Sequence, residues 1–140
     1  MQLRDQKSFF IRPATASDRA EVLALANESA AELDAGFSSY LADGECLFEV
    51  IINSNGVLIG AFLCIRDEWR MLAMNPNFLK KEIRAAVLNQ VRDWAEKKAQ
   101  GRLTLKPRVI VGDWKTFLKS QGVRFETAPD GADVIDLSAL

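Results

Sequence analysis

Histidine is absent from this 140-residue chain, tyrosine occurs once and cysteine twice. Without an imidazole there is no Ser-His-Asp or Cys-His nucleophilic pair, no histidine general base and no histidine-ligated metal. Long apolar runs are lacking too. The longest stretch without a charge, Val50 to Ile65, is too short, and with Asn53, Ser54, Asn55 and Gly56 too polar, to span a bilayer. Cys46 and Cys64 stand in apolar, strand-like contexts with no partner at metal-ligand spacing, so buried reduced thiols are expected and no metal site is. Met1–Lys7 is polar and mixed in charge, which reads as a short arm and not a signal peptide. The expected division is an arm over residues 1–8 and a single domain over 9–140.

What is present is ordinary in amount and uneven in placement. Hydrophobic residues make up 49% and charged residues 26%, a globular balance that is neither disordered nor fibrous. The net charge of −1 averages three blocks. Residues 1–78 carry 6 basic and 11 acidic side chains, residues 79–124 carry 12 and 4, and residues 125–140 carry 4 acidic and no basic ones. The central +8 block is either a solvated helical face or a surface turned toward an anion.

The pattern along the chain is mixed. Phe9-Phe10-Ile11 reads as a short strand closed by Pro13, followed by a helix that Thr15 or Ser17 caps, with a stripe of Val22, Leu23, Leu25 and Ala26 continuing toward Leu33. Gly36 is expected to interrupt it, leaving Ser38–Ala42 as a second short helix. Leu47–Ile52 and Val57–Ile65 form a hairpin around Asn55-Gly56, and mid-strand Gly60 suggests a bulge or a close approach. Trp69–Met74 is a further strand. From Phe78 to Ala99 the apolar positions Leu79, Ile83, Ala86, Val87, Val91 and Trp94 recur at helical spacing, placing Trp94 in the core. A strand over Leu103–Val111, a helix over Asp113–Ser120 and two strands over Val123–Thr127 and Val134–Leu137 complete the order β-α-α-β-β-β-α-β-α-β-β. The class is α/β (α+β), with a mixed, mostly antiparallel sheet flanked by helices.

That order, carried by particular residues, resembles the GNAT superfamily of acetyl-CoA-dependent N-acetyltransferases over almost the whole chain. Phe10-Ile11-Arg12-Pro13-Ala14-Thr15 with Asp18 looks like the family's opening strand and first helix. Met74-Asn75-Pro76-Asn77-Phe78 looks like the end of its fourth strand entering the acyl-CoA-binding helix, and Phe117-Leu118-Lys119-Ser120-Gln121-Gly122 like its late helix and glycine turn. The family's Gln/Arg-x-x-Gly-x-Gly/Ala motif lets backbone N–H groups cradle a pyrophosphate. Here Leu79, Glu82 and Arg84 occupy its three defining positions, so the motif is lost. Leu118 stands where the family often has a tyrosine that protonates the departing thiolate, and the one tyrosine, Tyr40, is remote in sequence.

The resemblance implies a cofactor, acetyl-CoA, with Leu72, Met74, Lys80, Lys81 and Arg84 as the residues that would bind it. It leaves a carboxylate as the general base, with Glu49, Asp67 and Glu68 near the strands that line the family's cleft, Glu49 and Glu68 being the catalytic candidates carried forward. A narrower likeness, over roughly residues 69–125, is to small GNAT-like proteins of tailed bacteriophages, in Trp69-Arg70-Met71-Leu72, Lys80-Lys81 with Arg84, and Val109-Ile110-Val111-Gly112.

Three functions follow. One is an N-acetyltransferase whose phosphate site is made of Lys80, Lys81 and Arg84. Another, favoured here, is a phage-associated accessory or virion protein of the same fold with weak or no catalysis. It would act through a protein partner, itself a host or virion protein, in the host cytoplasm or the virion. A homodimer is within the family's habit, and the interface would use the basic helix or the aromatics Trp69 and Trp114. Nucleic-acid binding through Arg102, Lys106 and Arg108 is the weakest, because the chain is acidic overall and lacks an aromatic-interleaved basic motif.

Overall fold

A computed structural model describes residues 8–78, 80–106 and 113–140, apart from the side chain of Glu28. The arm at 1–7, the expected strand residues 107–111, Arg108 and Leu79 lie outside them. The strands are β1 (Phe9–Pro13), β2 (Cys46–Asn53), β3 (Leu58–Ile65), β4 (Glu68–Met74), β5 (Arg102–Leu105), β6 (Arg124–Thr127) and β7 (Asp133–Asp136). The helices are α1 (Arg19–Ala26), α2 (Ala30–Ala42), α3 (Lys81–Lys98) and α4 (Asp113–Ser120). They alternate in the expected order. The strands form one sheet in the order β1-β2-β3-β4-β5-β7-β6, antiparallel throughout except for the parallel β4–β5 pair.

Side-chain alternation along the strands gives the sheet two apolar faces and therefore two cores. Val22, Leu33 and Phe37 of α1 and α2 pack on Phe48, Val50, Leu63, Met71 and Ala73. On the opposite face Ile83, Val87 and Val91 of α3, with Trp114 and Leu118 of α4, pack on Ile51, Phe62, Trp69, Leu103 and Ile135. Cys46 belongs to the first face and Cys64 to the second, although the two strands are adjacent. Opposite faces keep these thiols apart, in keeping with the reduced state expected of them. Cys64 is fully buried, whereas Cys46 is only partly so.

Three local expectations are corrected. The first helical stretch breaks at Asn27, whose φ is 48°, and not at Gly36. Helix α2 runs straight through Gly36 because that residue leaves room for the phenol of Tyr40 one turn on: a Cβ there would lie 2.6 Å from the ring. Trp94 is only half-buried, and its indole donates to the Arg66 carbonyl at 2.8 Å, pinning the β3–β4 turn to α3. Trp69 and Trp114, for which the core is the more common place and an interface the alternative, are both buried.

Gly60 fulfils its expectation in both senses. Ile51 pairs with Gly60 and Ile52 with Leu58, so Ile59 is an extra residue in β3. A Cβ on Gly60 would lie 2.5 Å from the Met74 sulfur and 2.9 Å from Ile51 Cδ1.

Candidate functional site

The site begins with a second bulge. Leu63 pairs with Met71 and Cys64 with Trp69, so Arg70 is the extra residue in β4. Trp69 consequently faces α3 and α4, Met71 and Ala73 face α1 and α2, and Leu72 and Met74 return to the α3 side. The bulge also changes which peptide groups meet β5. Before it, the Asp67 and Trp69 carbonyls accept from Thr104 N–H at 2.8 Å and Lys106 N–H at 3.2 Å. After it, Asn75 N–H donates to Ile59 at 2.9 Å, on the β3 side. Peptide groups alternate between strand edges. Those of Leu72 and Met74 therefore point away from β3, toward the side of β4 on which β5 pairs lower down.

That edge is open. β4 and β5 pair only at Glu68↔Thr104 and Trp69↔Leu105, and among the described residues no strand pairs with β4 there from Arg70 to Met74. Unpaired backbone donors and acceptors beside an apolar floor suit an extended amide-bearing chain, which can complete the ladder.

Helix α3 starts just beyond this edge, past a short 3₁₀ turn over Pro76–Phe78. Its N-cap, Lys80, supplies no side-chain acceptor, and the first helical bond is Arg84 N–H to Lys80 O at 3.0 Å. The N–H groups of Lys81, Glu82 and Ile83 precede that bond, at the positive end of an 18-residue helix. Lys81 and Arg84, three residues apart on one helix face, line an open groove of about 580 Å³ with Asp113, Thr116, Phe117 and Ser120 of α4 and Gln121 just beyond it. Lys80 does not line it, and Glu82 is exposed elsewhere.

Arg84 is the unusual member. Its side chain is only 15% exposed, its Cζ lies 5.8 Å from the Trp114 ring centroid, and its Nη2 is 3.9 Å from Asp113 Oδ2. Trp114 is held in turn by edge-to-face contacts with Trp69 at 6.4 Å and Phe117 at 5.7 Å. Arg84 Nε and Trp114 Nε1 are both buried without a hydrogen-bond partner among the described residues. Buried N–H donors rarely stay unmatched, since each forfeits about 1–3 kcal/mol.

The two carboxylate candidates are not brought together. Glu49 is buried on the α3 face, where Gln90 Nε2 donates to its Oε1 at 2.7 Å. Burial pushes its carboxyl above the ordinary range, only partly opposed by that bond. It lies in one row with Phe62 and Leu72 across the sheet, two strands from the open edge, or about 10 Å at the usual strand spacing. Glu68 sits at the sealed end of β4 with Arg70 Nε donating to its carboxylate. Asp67 occupies the β3–β4 turn. Leu118 is fully buried and offers no hydroxyl. Among the described residues no group of acidic or cysteine side chains is placed to hold a metal, and no helix is long and apolar enough to cross a membrane.

Sequence reasoning missed α4 as a wall of this site and missed the β4 bulge. The buried positions Trp69, Met71 and Ala73 alternate as in a regular strand, so their spacing conceals the change of face.

No family model matches the sequence, and no curated protein does. Solved structures do match in shape. A GNAT-family acetyltransferase from Staphylococcus aureus aligns with a TM-score of 0.69 at 15% identity, over 94% of this chain and 99% of that one. A GNAT-superfamily phosphinothricin acetyltransferase from Sinorhizobium meliloti, solved with acetyl-CoA, gives 0.67 and 15% over 91% and 86%. The PaiA N-acetyltransferase from Thermoplasma acidophilum, solved with coenzyme A, gives 0.62 and 17% over 91% and 97%. The fold is that of the GNAT-superfamily N-acetyltransferases.

Proposed function

We propose that this protein binds an acyl-CoA, acetyl-CoA first, in the cleft between β4 and β5 and transfers the acyl group weakly or not at all. What supports the reading is that no described residue pairs with the β4 edge from the Arg70 bulge to Met74, beside a cationic groove with donors unmatched among the described residues. The residues fit the group. Leu72 and Met74 would meet the amide-bearing arm through their backbone, and Lys81 and Arg84 would meet phosphate, with Lys80 adding charge nearby. A bound acyl-CoA would supply an activated thioester. The basic block compensates for the lost glycine motif, and Glu82 is turned out of the groove.

Weak catalysis is supported by what surrounds the cleft. Glu49 lies under α3, Glu68 is paired with Arg70, and Leu118 cannot donate a proton. With neither acid nor base in reach, an acceptor amine has to arrive neutral. A protein partner, a phage association and residence in host cytoplasm or virion complete the proposal, resting on the likeness of residues 69–125 to phage proteins. An active N-acetyltransferase is the second reading, favoured by the cleft itself. Arg102 weighs against nucleic acid, since its guanidinium is engaged by Glu126 and faces Asp136 at 3.7 Å.

Titration calorimetry with acetyl-CoA, paired with CoA release in the presence of a primary amine, tests the reading. Micromolar binding is expected. Any release should rise about tenfold per pH unit toward the amine pKa of roughly 10, as for an uncatalysed neutral nucleophile. No binding at millimolar acetyl-CoA overturns the reading, and a plateau near neutral pH reveals a general base and favours the active enzyme.

A further inference from the structure

Strand β6 ends the sheet, and among the described residues no strand pairs with its outer side. Alternation assigns its peptide groups. Ala128 N–H donates across the hairpin to the Ala132 carbonyl at 2.8 Å, while Leu137 N–H turns the other way, to Gly101 at 2.7 Å. The backbone of Arg124 and Glu126 therefore faces β7, in register with Asp136 and Val134, and that of Phe125 and Thr127 faces outward. Val123 N–H, which also turns away from β7, is taken by the Leu118 carbonyl at 3.1 Å. The N–H and C=O groups of Phe125 and Thr127 remain as a short ladder that an extended chain can complete.

The surroundings of that ladder carry one sign. The ammonium groups of Lys115 and Lys119, one turn apart on α4, lie 5.4 and 5.6 Å from the centroid of the Phe125 ring. Arg124 is exposed on the opposite face of the strand. None of the three has an ion pair among the described residues. The carboxylate of the strand, Glu126, is held by Arg102, whose Nη1 donates to it at 3.0 Å. Lysine at a sheet edge ordinarily keeps other chains away. Here that protection is selective. A second copy paired Phe125 to Phe125 would set the lysines of both copies against each other, whereas an acidic chain would neutralise them.

We propose that the outer edge of β6 is a docking site for an acidic segment of a protein partner, bound as an added strand. Acidic side chains at alternate positions of that segment would meet Lys115 and Lys119 on the α4 side, and one between them would meet Arg124 on the other. The proposal rests on the partner reading given above and is independent of the acyl-CoA cleft.

The test uses the full chain and a short synthetic peptide alternating Glu with Val, read by calorimetry and amide hydrogen exchange. The peptide is expected to bind, to weaken with added salt and to slow exchange of the Phe125 and Thr127 amides. Lys119→Glu, an exposed change, should weaken binding about tenfold or more, the usual size of a charge-assisted bond. Thr127→Pro removes an outward donor and no bond to β7, and should cost about three- to tenfold. A peptide of equal charge with Pro at every Val position cannot enter a ladder and should bind at least about tenfold more weakly to the unaltered protein. Equal binding of that peptide, or no binding of the Glu-Val peptide at millimolar concentration, overturns the proposal. Self-association that Thr127→Pro abolishes also overturns it, by seating a second copy on the edge. Peptide binding that both variants leave intact discards the edge and keeps an acidic partner on another surface. Acetyl-CoA should bind both variants as it binds the unaltered protein, so failure of the cleft and failure of the edge are read separately.

Discussion

The two faces of the sheet treat their polar groups in opposite ways. On the α1/α2 face, Asp18 is buried and fully engaged: Arg12 donates to its two oxygens at 2.8 and 2.9 Å, and Thr15 donates from its backbone at 2.8 Å and its hydroxyl at 3.1 Å. Arg70 is likewise bound by Glu68, with Glu32 at 3.5 Å, and Arg19 by Asp34. On the α3/α4 face the interior polar groups are under-used. Among the described residues Glu49 has one partner, the Trp69 indole donates to the Met71 carbonyl at 3.2 Å, and Arg84 Nε and Trp114 Nε1 have none. Saturated ion pairs fix a structure, and unsaturated donors beside an open strand edge leave something for a ligand to complete. The contrast separates the face whose polar groups are matched from the face on which binding is proposed.

The largest break in that comparison should come from Asp18→Ala, which strands the Arg12 guanidinium and frees the start of α1. A loss of about 2–3 kcal/mol is expected, read as a melting temperature lower by roughly 5–10 °C. Chiefly the Arg12 bond, and then those from Thr15, hold the Asp18 carboxyl below its ordinary value of 3.8. Its contribution is therefore complete above that value and is lost as pH falls through the depressed one. Wild type should lose stability faster than Asp18→Ala on acidification below about pH 4, and parallel acid curves would refute the assignment.

A smaller effect is expected from Gly60→Ala on the other face. The new methyl meets the far ends of Met74 and Ile51, which can yield, so the cost should be near 1 kcal/mol by chemical denaturation. Because Met74 lies at the open edge, acetyl-CoA affinity should fall more than stability does. Equal affinity with displaced Met74 would detach that residue from the cleft.

The smallest change should be Glu49→Gln. Burial raises the Glu49 carboxyl above its ordinary 4.5, so the unfolded chain ionises first as pH rises. Stability is thus expected to decline from about pH 4.5 up through the raised value, the opposite sense to Asp18. The amide should remove that decline and leave the protein as stable as wild type or slightly more so at neutral pH. A clear loss of stability at neutral pH would mean that the charge itself is needed beneath α3.

The element order was legible because each segment carries its own period: alternation in Leu47–Ile52, helical spacing in Ile83, Val87 and Val91, and Asn-Gly at the hairpin. The charge block and the missing Tyr and His were equally plain. Inter-element geometry was not. That Arg84 reaches α4 depends on the crossing of two helices thirty residues apart, and neither contributes a local signal for it. The Arg70 bulge left the buried spacing of its strand intact while turning Trp69 and Met71 to opposite faces. Gly36 misled for a related reason, since its small size serves a tyrosine one turn on and not a break.

The placement of the two cysteines on opposite faces gives the molecule a pair of internal clocks. Burial, the largest influence on each, holds both thiols protonated and slow to react. Cys64 becomes available to an alkylating reagent only when the α3 side opens, and Cys46 responds to loosening of α2. A ligand seated against α3 and α4 would therefore slow the Cys64 clock while leaving that of Cys46 running at its own rate.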